Sequence, residues 1–318
     1  MKTPMRKKAL ASGMQQGFSM IEMLVSVAIG LVVSGAVLYT VSASQVSSRH
    51  QDAQARMHDA GQMALAQLSE HARMTGFWVP TSEVLATDGP MSGQSPLRGC
   101  RNGFIDPGAD WGALNCAAGT GNDALALRFQ VHGSGRNWDC AGNELTSNAM
   151  QLAAQHSGGA TTPSHLLRDE VQEVYYVANS ASTGNPALFC RTPSSATPVQ
   201  LVDNVDRFEV RYAVADPNPE VGQQNTPFDV KALTGAAVRY LRADQMAACD
   251  VSSGKVPANS WCSVVGMRVC LVLRTEDGIN AEPSPWLNCE GGTVNATDRR
   301  HRQAFNSVVT MRNRVVMP

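Results

Sequence analysis

Three sets of side chains in this 318-residue chain are of types that do chemistry: eight cysteines, seven histidines and one carboxylate inside an otherwise apolar segment. The cysteines are Cys100, Cys116, Cys140, Cys190, Cys249, Cys262, Cys270 and Cys289, all on the C-terminal side of that segment. An even number of thiols on one side of an apolar span is the distribution of structural disulfides in an oxidising compartment, although the count leaves connectivity open. We expect four disulfides, no free thiol, and the ladder of neighbours Cys100–Cys116, Cys140–Cys190, Cys249–Cys262 and Cys270–Cys289. The histidines (His50, His58, His71, His132, His156, His165 and His301) form no His-Glu-x-x-His pattern, and there is no Cys-x-x-Cys, so no metal site is expected. No Gly-x-Ser-x-Gly elbow and no phosphate-binding Gly-x-x-x-x-Gly-Lys loop occurs. The expectation is therefore no catalytic residue, no cofactor and no enzyme.

The carboxylate is Glu22. It lies near one end of Phe18–Val41, a run without any other charge. As a helix this run reaches roughly 36 Å at about 1.5 Å per residue, enough to cross a bilayer core. It exceeds the apolar region of a secretory signal, and no Ala-x-Ala-like site follows it. A carboxylate in such a span costs about 2.5–3.5 kcal/mol at mid-helix and less near an end, so Glu22 calls for a partner. Lys2, Arg6, Lys7 and Lys8 precede the span with no acidic residue among them, which places the N-terminus in the cytoplasm and the cysteines outside it. Ser26, Gly30 and Ser34 recur every four residues and give the helix one face of small side chains, suited to close packing in lipid.

The overall charge of -1 hides this asymmetry, because the chain beyond the basic start is net acidic. Nucleic acid is thus not an expected partner, and Arg299, Arg300, His301 and Arg302 form the one basic run that argues otherwise. Charged residues make up 17% and aromatics 6% of the chain, a composition that suits an exported protein.

The segment Gly17, Phe18, Ser19, Met20, Ile21, Glu22, followed by an unbroken apolar helix, resembles the prepilin processing site of type IV pilin-like proteins. The resemblance implies that a prepilin peptidase cuts after Gly17 and methylates the new amine on Phe18. It further implies that the Glu22 carboxylate of one subunit meets the Phe18 amine of its neighbour when helices pack into a filament. A buried pair of this kind sets register more surely than it adds stability.

Ser42–Met74 contains no proline and one glycine. Val46, Ala53, Met57, Ala60, Ala64 and Leu68 recur at helical spacing, and the spacing predicts one long helix ending near Gly76. Beyond it, short apolar runs rich in β-branched and aromatic residues predict strands at Ala124–Val131, Val171–Val177, Ala187–Arg191, Arg207–Val214, Val264–Arg274 and Phe305–Arg312. Thr146–Pro163, Ser180–Pro186, Asp216–Pro227 and Asp250–Asn259 read as loops, and Thr275–Gly278 as a hairpin turn. The fold class expected is α+β, pilin-like: a long N-terminal helix packed on an antiparallel β-sheet domain with long disulfide-stapled loops. Its divisions are a leader (1–17), a transmembrane and filament-core helix (18–41), an amphipathic helix (42–75) and a β-rich globular domain (76–318).

Four further segments resemble PilW-like minor pilins: Arg73–Trp78, Leu201–Val214, Val264–Thr275 and Arg300–Arg314. Residues 100–164 have no such parallel. The resemblance implies a minor pilin that primes or tips a type IV pilus, with other minor pilins and the major pilin as partners through the N-terminal helix. It places the precursor in the inner membrane, with the globular domain in the periplasm. The alternatives are a pseudopilin of a type II secretion system and a tip-located module for adhesion or DNA uptake.

Overall fold

The computed structural model describes residues 17–77, 95–130, 138–144, 170–192, 195, 197–215, 237, 239–249, 259–311 and 313. The leader before Gly17, Trp78, Val131, Arg312, the loops expected at Thr146–Pro163 and Asp216–Pro227, and most of Asp250–Asn259 lie outside the described residues.

One helix, α1, runs from Met20 to Met74, and the chain divides into two compact units, through Asp52 and from Ala53 onward. In the first unit the side chains of the helix are exposed from Met20 to Arg49. In the second, α1 buries Met57, Gly61, Ala64, Leu65, Leu68 and Ala72, the repeat of three and four that lines one helical face. The expected stripe is thus occupied from Met57 onward, whereas Val46 on the same stripe is 63% exposed. The helix stops where Gly76 takes φ 78°, the left-handed conformation that ends helices, with Gly76 N donating to Arg128 O at 3.0 Å.

The sheet region is α+β and antiparallel, as expected. Strands β1 (Leu97–Cys100), β2 (Ala124–Gln130), β3 (Glu170–Asn179), β4 (Pro186–Arg191) and β5 (Val199–Asp203) form a five-stranded meander in sequence order. Strands β6 (Val205–Val214), β7 (Arg239–Leu241), β8 (Val264–Arg274) and β11 (Arg302–Thr310) form a second sheet in the order β11-β8-β6-β7. A short pair, β9 (Trp286–Leu287) and β10 (Thr293–Val294), stands apart. All six strands expected from the sequence are present, some longer than expected. Thr275–Gly278 is not a hairpin turn: β8 pairs with β11, and the intervening chain carries β9 and β10.

The chain passes from the first sheet to the second at Asn204, the one described non-glycine residue with positive φ, at 59°. Asparagine tolerates that conformation better than most residues, and its carbonyl accepts from Arg274 N at 3.0 Å. The main core draws on α1 and both sheets, with Leu68, Leu125, Leu127, Tyr175, Phe208, Tyr212, Met267 and Leu271 fully buried. Burying each leucine contributes about 1.5–3 kcal/mol.

The second sheet has an edge that its own strands leave open. Strand β7 reaches only Tyr212–Val214 of β6, so the backbone at Phe208 and Val210 is paired by side chains. Asn122 Oδ1 accepts from Phe208 N at 2.9 Å, and Asp123 Oδ2 accepts from Val210 N at 2.7 Å. Asp123 N returns a bond to Phe208 O at 2.9 Å. Two residues leading into β2 thereby clasp the two sheets together.

Candidate functional site

The expected processing and assembly residues all lie at the start of α1. Gly17, Phe18 and Ser19 precede the helix, and Phe18 is 86% exposed. Ser19 O accepts from Glu22 N at 3.0 Å and from Met23 N at 3.2 Å, which opens the helix. The Glu22 carboxylate turns back so that Ser19 N donates to its Oε2 at 3.4 Å. Ser-x-x-Glu with this return contact is half of a capping box, and a negative group in the first turn also suits the positive end of the helix dipole. This local role of Glu22 was missed in the sequence reading, although Ser19 three residues before Glu22 is its signature.

Around Glu22 the surface is apolar and uncovered. Ile21, Met23, Leu24, Ile29 and Leu31 are all at least 59% exposed, and no residue of the most apolar 18-residue window is buried. Exposed apolar side chains in an unbroken series mark a surface that meets lipid or another protein. Ser26, Gly30 and Ser34 are exposed on this helix. A methyl group added at Gly30 would meet nothing within 4 Å, so the small-residue face is open. Ser26 Oγ donates to Glu22 O at 2.7 Å, which satisfies that hydroxyl within its own helix.

The other half of α1 is anchored by polar contacts as well as by its apolar stripe. His71 Nδ1 lies 2.8 Å from Glu173 Oε1 with both side chains buried. Glu173 also accepts from Cys140 N at 2.9 Å and from the Tyr175 hydroxyl at 3.0 Å. Gln67 Nε2 donates to Cys140 O at 2.8 Å. The 138–144 segment is therefore tied to the helix, to β3 and, through Cys140–Cys190, to β4. A buried carboxylate needs such a set of donors, because an unpaired one costs several kcal/mol.

The cysteines pair as Cys100–Cys116, Cys140–Cys190, Cys249–Cys262 and Cys270–Cys289. Their Cα separations run from 5.2 to 6.3 Å, and none of the eight is free. Among the described residues no group of three or more His, Cys, Asp or Glu could hold a metal ion.

The basic run is largely consumed by structure. Arg302 is paired with Asp206 and Asp298, and Arg299 Nε donates to Asn280 O at 2.8 Å. The hydrogen bond from Arg302, helped by one from Arg300 N, holds Asp298 down at a pKa of about 2.

Comparison with known proteins locates two family regions. Residues 13–38 match the prokaryotic N-terminal methylation motif, and residues 174–313, under half of the chain, match PilW, the type IV pilus-assembly protein W family. Leu201–Val214 and Val264–Thr275 lie within the second region, whereas Arg73–Trp78 and the whole of 100–164 lie outside both. Among solved structures, a type IV-like pilin from Thermus thermophilus aligns over 81% of this chain and 98% of its own, at 10% identity and a TM-score of 0.38. No curated protein sequence matches.

Proposed function

We propose that this PilW-like type IV minor pilin acts in the priming or tip complex of its pilus, docking through the exposed start of α1. The chain is a structural subunit, anchored in a membrane and assembled with other pilins. In our reading the prepilin peptidase removes residues 1–17 and methylates Phe18. The span 18–41 then holds the protein in the inner membrane, N-terminus inside and globular domain in the periplasm, until other minor pilins and the major pilin take up the helix.

The observation that carries this reading is Glu22, one carboxylate at the first turn of a helix whose apolar surface is bare. Alone, Glu22 caps its helix through Ser19 N. In a bundle of such helices it is also the only acid available to the cationic amine of a neighbour's Phe18. Leaving that amine unpaired in a low-dielectric core is costly, so the pair selects one axial register.

Capping and docking are separable by substitution. Glu22→Gln keeps an acceptor for Ser19 N and removes the charge, while Glu22→Ala removes both. With each variant as the only copy, both are expected to insert and be cleaved, yet to enter pili at least about tenfold less, equivalent to about 1.4 kcal/mol. Wild-type incorporation of Glu22→Gln would overturn the charge-pair role.

A further inference from the structure

Beside β1 the globular unit holds a cavity of about 410 Å³, walled by Arg98, Phe104, Trp111, Leu114 and Trp261 among others. Its volume lies within the range of small-molecule sites, about 300–1,000 Å³. Phe104, Trp111 and Leu114 are buried, and the Cys100–Cys116 disulfide closes the loop that carries them. The wall from β1 to Cys116 falls outside both family regions.

Arg98 is the charged member of this wall. Its Nη1 donates to Trp111 O at 2.6 Å and to Leu114 O at 3.3 Å, and its guanidinium lies 5.6 Å from the Trp111 ring centre. These contacts fix the group without neutralising it. Among the described residues Arg101, Arg207, Arg211, Arg242, Arg274 and Arg302 each meet a carboxylate, whereas Arg268 and Arg299, like Arg98, donate to carbonyl oxygens. Arg98 meets no carboxylate among these residues, and burial alone lowers its pKa. A half-buried guanidinium held rigid beside apolar walls presents a fork of donors that suits a planar anion.

We propose that this cavity binds a small organic carboxylate, its anion on Arg98 and its aliphatic or aromatic body against Phe104, Leu114 and Trp261. The apolar walls raise the strength of the charge contact by excluding water, and they reject bare inorganic anions, which bring nothing to bury. This site is independent of the assembly surface on α1.

The test uses the full chain in detergent, titrated calorimetrically with N-acetyl-phenylalanine and with its uncharged primary amide. The acid is expected to bind with a Kd below about 1 mM and about tenfold more tightly than the amide, a difference of about 1.4 kcal/mol. Arg98→Gln should erase that preference. Since Arg98 also holds two carbonyls of the loop, a second variant leaves it in place: Gly112 lines the cavity, and a Cβ added there meets nothing within 4 Å. Gly112→Trp should fill the space and abolish saturable binding while the protein stays folded. Equal binding of acid and amide, no binding of the acid at about 10 mM, or undiminished binding by Gly112→Trp would each overturn the proposal.

Discussion

Asp123 illustrates how a single side chain can be both a structural necessity and a liability. Its carboxylate completes the open edge of β6, yet burial pushes its pKa up to about 6, with the neighbouring Glu209 adding to the rise. The bond from Val210 N and the charges of Arg211 and Arg207 oppose that rise without cancelling it. Because the folded value is above the ordinary 3.8, the folded state holds the proton more tightly than the unfolded chain. The contribution is therefore fully present below about pH 4 and is lost as pH rises through about 6, amounting to at most about 3 kcal/mol. Asp298 works in the opposite sense in a separate window, its contribution present above pH 3.8 and lost as pH falls through about 2. Asp123→Asn keeps an acceptor for Val210 N and discards the charge. Thermal denaturation across pH 4–7 should show a flatter profile for the variant, and a Tm at pH 7 no lower than that of wild type. An unchanged slope between pH 4 and 6 would show that Asp123 does not titrate in this window.

At the scale of elements, the seam between α1 and β11 is set by a glycine. A methyl group added at Gly61 would lie 2.7 Å from Cδ2 of Phe305, closer than packed carbons approach. Gly61→Ala gains about 0.8–1 kcal/mol in helix propensity and costs about 1–3 kcal/mol in overpacking. Net destabilisation is expected, and it should shrink when Phe305→Leu relieves the contact. Denaturant unfolding of the two single variants and the double variant checks this, since additive effects would mean that the ring does not bear on Gly61. The long helix, its stop at Gly76 and six strands were legible because each has a period or a breaker visible over several residues. Strand β1, Leu-Arg-Gly-Cys, was not: it is four residues long, contains glycine and has no alternation. β5 was hidden for another reason, since only Asn204 separates it from β6 and the 199–214 stretch reads as a single run. The division into two sheets depends on the backbone turn at that one residue, which no hydrophobic pattern encodes. β11 starts at Arg302, which in the sequence belonged to a basic run and in the structure is paired with Asp206 and Asp298.

For the whole molecule, the sequence already separated what the structure separates: an apolar half-helix that buries nothing, and a globular unit stapled by four disulfides. The start of α1 was readable from Gly17 and Glu22 because a lone carboxylate in an apolar span demands an explanation. The Arg98 cavity was not readable, because its walls come from segments distant in the chain, 95–116 and 248–261. The proposed assembly through α1 depends first on the chain becoming a mature subunit with a cationic amine four residues before Glu22. Mass spectrometry of the N-terminal peptide from membrane-extracted protein tests that directly. The account predicts a peptide that begins at Phe18 and carries one added methyl group on its amine. A peptide that begins at Met1, or one produced by cleavage after Tyr39 that discards the span, would contradict it.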